Sequence, residues 1–443
     1  MIDNEKHSIE ANGEQLTLAR LVTIIFILLL IVVPIWQLVQ DLAAHARGDR
    51  ASVWPRACDA VFILPRAVKG GADQSDAITS IAQINASIRR QLSEYEDALQ
   101  IDSPVQQVAT AVLKPAMRRY LGDPGHKVII GNNGWLYYRP DLRYVVTRPF
   151  LESRGYRRGE TPHGRNDTDP RPAILQFKKL LAERGIDLIL VPVPVKPCIY
   201  PQALTEDSTA PPLQNTSYND LLKWLDENDI DYFDPTSRLL RMEQMTQQRT
   251  FLKTDTHWRA DAVQQVAGDL TRFVYQSVNL PKAPDPHYQL QPKQVTNLGD
   301  IAKHMLDLGA QQDEHPAETV TIQQVRLSNG TLWQPDESAD VMLLGDSFAN
   351  IYSDGAMGWG QGGGLAELLS YELGRPIDTI ILNDGGAWET RKTFFQQLLG
   401  AETAKHPDNR RLRLVIWQFA VRDLTSQSWP IMTEPSAEQE AGP

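Results

Sequence analysis

Cysteine is almost missing: Cys58 and Cys198 are the only two in 443 residues, which excludes a disulfide scaffold and a cysteine-rich zinc site. Whether they pair in an oxidising compartment or stay as thiols is open at this point. A basic excess is lacking too. Lys and Arg number 44 against 55 Asp and Glu, a net charge of −11, which repels phosphate backbones and speaks against nucleic-acid binding. The nine histidines are scattered singly with no His-Glu-x-x-His, so neither a metal site nor a cofactor is expected. The glycine run from Gly358 to Gly364 lacks the Gly-Lys-Ser/Thr ending of a phosphate loop, which argues against nucleotide binding. Internal repeats are absent. With 42% hydrophobic and 22% charged residues, the chain is neither wholly disordered nor polytopic in a membrane.

One long apolar run is present. From Leu21 to Val39 no charge falls between Arg20 and Asp41, a length that suits one membrane-spanning helix kinked at Pro34. The competing reading is a signal peptide cleaved near Ala44-His45-Ala46, but that site lies well beyond the run and the uncleaved anchor is favoured. Arg47, Arg50 and Arg56 outnumber the cations before the run, so charge counting leans weakly against exporting the bulk of the chain.

The expected layout is a cytoplasmic tail over 1–20, an anchor over 21–39, a helical membrane-proximal segment over 40–125, a main domain over 126–430 and a disordered tail over 431–443. Within the second of the helical stretches, Ile81, Ile84, Ile88, Leu92, Tyr95 and Leu99 form an apolar stripe. GNNGWLYYRP, from Gly131 to Pro140, combines turn chemistry with aromatics and should open a strand. Eight arginines between Arg139 and Arg171 suggest a long basic surface loop, either merely solvated or a contact for an anionic polymer.

Beyond it, helices are expected at Pro172–Gly185, Asn219–Asn228, Ala260–Val274, Leu365–Leu373 and Thr390–Leu399. Strands are expected at Ile186–Val193, Ile230–Phe233, Asp340–Leu344, Thr379–Leu382 and Leu412–Phe419. This alternation implies an α/β fold with a mostly parallel sheet covered on both faces.

Sites in such sheets form beyond the carboxyl ends of the strands. Gly345-Asp346-Ser347 directly follows the strand VMLL, which puts Ser347 in the turn into a helix, where helix-end N–H groups face any oxyanion its attack creates. The bland alternative is a serine helix cap. FLKTDTHWRAD places Asp255 two residues before His257, and a serine nucleophile needs an imidazole base whose tautomer a carboxylate fixes.

DTHW, LLGDSF some ninety residues later, GWLYY, VPVPVKPCIYP, NLGDIAKHML, GGGLAELLSYELGRPI, NDGGAWETR and VIWQFAVRDL together resemble the SGNH-hydrolase-like alginate O-acetyltransferases, the AlgJ/AlgX-like proteins. The likeness covers about Lys127 to Leu424. Ordinary SGNH hydrolases carry Asp and His after the serine; here they precede it, as in the polysaccharide-acetylating branch. The resemblance implies a three-layer α/β/α sandwich with Ser347 as nucleophile, His257 as base and Asp255 as its orienting carboxylate. It also implies an oxyanion hole from the Ser347 N–H and either the glycine-rich stretch around Gly363 or Asn383, with Tyr352 and Arg391 on the substrate side. Only 96 residues follow Ser347, which brings the chain closer to the single-domain, membrane-anchored AlgJ-like type.

On this resemblance the chain would be an inner-membrane, single-pass protein with a periplasmic catalytic domain. It would receive acetyl from a multi-span membrane O-acyltransferase and pass it to hydroxyls of an exported polysaccharide, without cofactor or metal. An acetyl esterase using the same three residues, and a non-catalytic scaffold of the export machinery, are the alternatives.

Overall fold

The computed structural model describes residues 127–151, 169–205, 210–283, 286–306, 315–403 and 412–432, together with scattered positions between 23 and 47. The chain divides into two units, one of residues 1–123 with 308–310, the other of 124–307 and 311–443. In the first, the described apolar positions Leu28, Ile31, Val32, Ile35, Trp36, Leu38 and Val39 are helical and exposed. Among the described residues no helix is long and apolar enough to cross a membrane. The rest of the expected anchor, the stripe from Ile81 to Leu99, Cys58 and the tail after 432 lie outside the described residues.

The second unit runs β1 Val128–Ile130, β2 Leu136–Tyr138, α1 Arg139–Val146, α2 Pro170–Ala182, β3 Asp187–Val193, α3 Tyr218–Glu227, β4 Asp231–Tyr232, α4 Thr236–Thr246 and α5 Ala260–Ser277. It continues with β5 Gln289–Asn297, β6 Glu318–Arg326, β7 Val341–Gly345, α6 Ser347–Asn350, α7 Leu365–Leu373, β8 Asp378–Ile381, α8 Gly386–Thr403 and β9 Leu414–Ala420. Five strands form one all-parallel sheet in the order β4-β3-β9-β7-β8. Every residue of β7 and of the central β9 is buried, as continuous apolar strands covered on both faces require.

Helices α2 and α8 share a face. Phe177 of α2 stands edge-on to both Phe394 of α8 and Trp417 of β9, with ring centroids 5.6 and 5.2 Å apart. Helix α5 packs against α7 and β6. Helix α2 opens on Pro170 with Asp169 as cap, its carboxylate taking the Arg171 N–H at 3.0 Å, which starts the helix two residues earlier than expected.

Two departures matter. The first part of the expected basic loop is helix α1, begun by Pro140 in its first turn, and its Asp141 and Tyr144 are buried; residues 152–168 of that loop lie outside the described residues. A long antiparallel ribbon, β5 with β6, was not anticipated. Strand β5, QLQPKQVTN, is largely exposed and lacks an apolar face, whereas in β6 Val320 and Ile322 turn inward against the core.

Candidate active site

Ser347 begins α6 immediately beyond the carboxyl end of β7. The helix cap is Asp346, not the serine: its Oδ1 accepts the Phe348 N–H at 2.9 Å. The Asp346 N–H donates to Gln418 Oε1 at 3.1 Å, while its carboxylate accepts Gln418 Nε2 at 2.8 Å and the Ala420 N–H at 2.8 Å. The turn bearing the serine is thereby tied to β9. Gly345 is needed in this turn because a Cβ would meet Ala349 Cβ at 2.8 Å and Gln418 Oε1 at 3.1 Å. Standing first in the helix, the Ser347 N–H has no intrahelical acceptor.

The segment carrying Asp255 and His257 is a loop closed by a bridge between Phe251 and Trp258. Its neighbours hold it from several sides. The Leu136 N–H donates to Lys253 O at 2.9 Å, and the buried Lys196 ammonium donates to Leu136 O at 2.7 Å and Lys253 O at 3.1 Å. The Lys253 N–H donates to Glu318 Oε1 at 2.7 Å. The motifs GWLYY and VPVPVKP thus serve partly to hold this loop.

Within it, His257 Nδ1 lies 2.7 Å from Asp255 Oδ1 and Nε2 lies 2.8 Å from Ser347 Oγ. An ionised carboxylate only accepts, so Nδ1 carries the proton and Nε2 is left to accept from the serine hydroxyl. The structure therefore brings Ser347, His257 and Asp255 into one hydrogen-bonded chain, with Ser347 still 9% exposed.

Burial would raise the Asp255 carboxyl, but the His257 hydrogen bond and charge, the Asp300 N–H at 2.9 Å and the Trp359 indole N–H at 2.8 Å hold it well below the usual range. Burial works the other way on His257. The Asp255 bond and charge, with the Asp300 charge, overcome it and raise the imidazole above its ordinary value. Asp300, pushed up to about 6 by burial and then by the Asp255 charge, was not anticipated from the sequence. Neither was Trp359, which the glycine-rich stretch delivers. Gly358, Gly360 and Gly362 all take positive φ, between 79° and 92°, and this threads the loop across the ribbon.

Asp255, His257 and Asp300 are the cluster with metal-ligand chemistry found among the described residues. Their atoms are already committed to one another, to Thr256 and to Trp359, an arrangement that holds protons.

Other expected positions fall elsewhere. Tyr352 is fully buried, and its hydroxyl donates to Trp258 O at 2.9 Å behind the histidine loop, not on a substrate-facing rim. Arg391 is also buried. It donates to Pro430 O at 2.6 Å and lies against the rings of Trp388 and Trp417, on the inward side of α8, which starts four residues earlier than expected; burial lowers its guanidinium to about 10. The Gly363 N–H is taken by Tyr352 O at 3.0 Å, so it does not serve an oxyanion. Asn383 is exposed beyond β8, its Oδ1 accepting from Asn350 at 3.0 Å and its Nδ2 turned to Asp354 Oδ2 at 3.4 Å. Cys198 is a buried free thiol, raised by burial and 3.7 Å from Gln214 Oε1.

Residues 128–421 match the model of a family described as an SGNH hydrolase-like domain, acetyltransferase AlgX. The chain belongs to this AlgJ/AlgX-like family. Two relatives are named probable alginate O-acetylase AlgJ. That of Pseudomonas aeruginosa is 26% identical over 187 residues, 42% of this chain and 41% of its own. That of Azotobacter vinelandii is 23% identical over 207 residues, 47% and 48%. The matches span less than half the length of these relatives. The solved O-acetyltransferase domain of Pseudomonas putida AlgJ aligns with a TM-score of 0.50 at 16% identity, over 68% of this chain and 93% of that one, a likeness of fold. It agrees with an SGNH-like α/β fold on a parallel five-stranded sheet.

Proposed function

We propose that this chain is a polysaccharide O-acetyltransferase whose nucleophile is Ser347. The observation that carries the reading is the continuous hydrogen-bonded chain from Ser347 Oγ through both nitrogens of His257 to Asp255. Membership of an acetyltransferase family and the alginate O-acetylase names of its relatives support the acyl group and the acceptor class.

In the first half-reaction His257 Nε2 takes the Ser347 proton as Oγ attacks the donor's acetyl carbonyl. The Ser347 N–H faces the developing oxyanion. Collapse of the tetrahedral intermediate expels the donor alcohol, which receives the proton from Nε2, and leaves acetyl on Oγ. In the second half, His257 takes the proton of a sugar hydroxyl, whose oxygen attacks the acetyl-serine; the proton returns to Oγ as the ester forms. Asp255 remains ionised throughout and steadies the imidazolium, consistent with its lowered carboxyl.

The acceptor would be an exported, alginate-like polysaccharide in the periplasm, with residues 21–39 as inner-membrane anchor and a multi-span membrane O-acyltransferase as donor. These are extensions of the same reading, supported by the apolar run and by the need to carry acetyl from the cytoplasm.

The test is incubation of the native chain and Ser347→Ala with p-nitrophenyl acetate, with and without a uronic-acid oligosaccharide, followed by mass spectrometry. Native protein should carry one acetyl on Ser347 and yield acetylated oligosaccharide; the variant should do neither. Product found only as free acetate would replace transfer by ester hydrolysis, and full acetylation by the variant would remove Ser347 from the chemistry.

A further inference from the structure

Asp300 stands near Nδ1 of the imidazole as a second carboxylate that the hydrogen-bonded chain does not include. Its Oδ1 accepts the Thr256 N–H at 2.7 Å and its Oδ2 pairs with the Thr256 hydroxyl at 2.8 Å. Its own N–H donates to Asp255 Oδ2 at 2.9 Å. Asp300 Oδ2 lies 3.9 Å from His257 Nδ1, too far for a hydrogen bond but close for a charge. Around it, the Asn297-Leu298-Gly299 approach is pressed onto the histidine loop: the Gly299 N–H donates to Thr254 Oγ1 at 3.2 Å and the Ala302 N–H to Thr254 O at 3.2 Å.

We propose that Asp300 is a positioning residue that sets the basicity of His257 by its charge and holds the Asp255-Thr256-His257 turn by its hydrogen bonds. Asp255 already takes the Nδ1 proton, so Asp300 has none to receive. Its carboxylate adds a second negative charge on the side of the ring away from the serine, favouring the imidazolium that forms when Ser347 gives up its proton. The remaining charged groups facing His257 are Asp255, Arg422 and Asp141; those facing Asp300 are Asp255, His257, Lys196 and the Tyr138 phenol. Arg422, paired with Asp141 at 2.9 Å, opposes the imidazolium, which gives the second carboxylate something to offset. Asp300 has the properties of a tunable charge: a quarter of its side chain (26%) reaches solvent, and its carboxyl sits at about 6.

This inference rests on the acetyl-transfer reading for its purpose but is measured without it. The His257 imidazole is followed by NMR across pH in the native chain, in Asp300→Asn, which keeps the shape and loses the charge, and in Asp300→Ser as a second neutral variant. The native resonance should move in two steps, one for His257 and one for Asp300, and in both variants the His257 midpoint should fall by about one pH unit. A single-step native curve, or an unchanged midpoint in either folded variant, overturns the assignment. Acetyl-ester turnover is measured in parallel on the native chain. Absent turnover would undo the acetyl-transfer reading while leaving the titration to judge Asp300. With turnover present, the acid limb of the Asp300→Asn rate profile should move down by the same interval, which a purely structural contact would not do.

Discussion

Asp346 and Gln418 bind each other twice, backbone N–H to Oε1 at 3.1 Å and Nε2 to Oδ1 at 2.8 Å, across the seam between β7 and β9. Both are buried. Because Asp346 also caps the helix that begins with Ser347 and accepts the Ala420 N–H, it converts the rigidity of the central strand into a fixed position for the Ser347 hydroxyl.

Asp346→Ala should therefore fail in two ways at once. Three buried donors lose their acceptor, each at a cost of about 1–3 kcal/mol, so thermal unfolding should report a loss of ~2–4 kcal/mol after partial relaxation. With Ser347 no longer held 2.8 Å from His257 Nε2, the acylation rate should fall about 10- to 100-fold. A variant that is destabilised but acylates at the native rate would show that the seam does not place the serine.

Gly299→Ala addresses the opposite wall of the site. A Cβ at 299 would run into the carbonyl of Thr254 and the backbone N of Asp255, and neither is the flexible end of a side chain. The loop must move by tenths of an ångström or more, carrying Asp255 with it. The expected outcome is a loss of ~1–3 kcal/mol and at least a tenfold fall in turnover, read by calorimetry and acetyl-ester hydrolysis. Native turnover in this variant would mean the loop accommodates the methyl without moving the carboxylate.

Much of the parallel sheet could be read directly because its strands are apolar runs bounded by turns, as in β3, β7 and β9. The DTHW and LLGDSF motifs hold the three side chains that the structure brings into one hydrogen-bonded chain, and they could be singled out because a serine nucleophile would need a base and a carboxylate, wherever they lie along the chain. What stayed hidden were contributions made through tertiary approach. Trp359 reaches Asp255 from 104 positions away and Asp300 from 45, and neither carries a local signature. Arg391 misled for a different reason: it lies on the inward side of a helix that packs on β7 and β9, where an arginine is rarely found. The ribbon strand β5 has no inward apolar face to announce it, while the alternation of Val320 and Ile322 in β6 was a usable signal.

Activity and stability should respond to pH in opposite directions. In the proposed reaction His257 is a base only when neutral, and its pKa is raised, so turnover should climb as pH rises through that value and then level off. Several carboxyls keep their protons longer in the fold than they would unfolded: the partly exposed Asp300 at about 6, the buried Glu367 and Asp423 at about 7 each, and the buried Asp141, raised as well, each pushed up first by desolvation. Since the unfolded chain releases these protons near pH 4, folding binds more protons than unfolding does across the interval up to about 7, and stability falls as pH rises through it. The raised His257 acts in the same sense, its contribution being lost as pH rises through its folded value. Asp255, depressed, acts in the reverse sense and is felt only as acid approaches its low value. Thermal midpoints recorded from pH 5 to 7.5 should decline while turnover increases, and Glu367→Gln should flatten the decline. A midpoint that rises over this interval would mean the buried carboxyls are ionised in the fold.

Tyr352→Phe separates a substrate contact from a structural one. The phenol is fully buried, its hydroxyl donating to the backbone carbonyl of Trp258, the residue after His257. Removing the hydroxyl leaves one buried carbonyl short of a partner, so a loss of about 1 kcal/mol in unfolding free energy is expected. KM for an acetyl donor or a sugar acceptor should not change, because no atom of Tyr352 lines the approach to the serine. A small fall in kcat, within about threefold, would reflect looser support of the imidazole. If instead KM for the acceptor rose tenfold with stability intact, the tyrosine would have to turn outward when substrate binds, and its hydrogen bond to Trp258 O would describe only the resting form of the site.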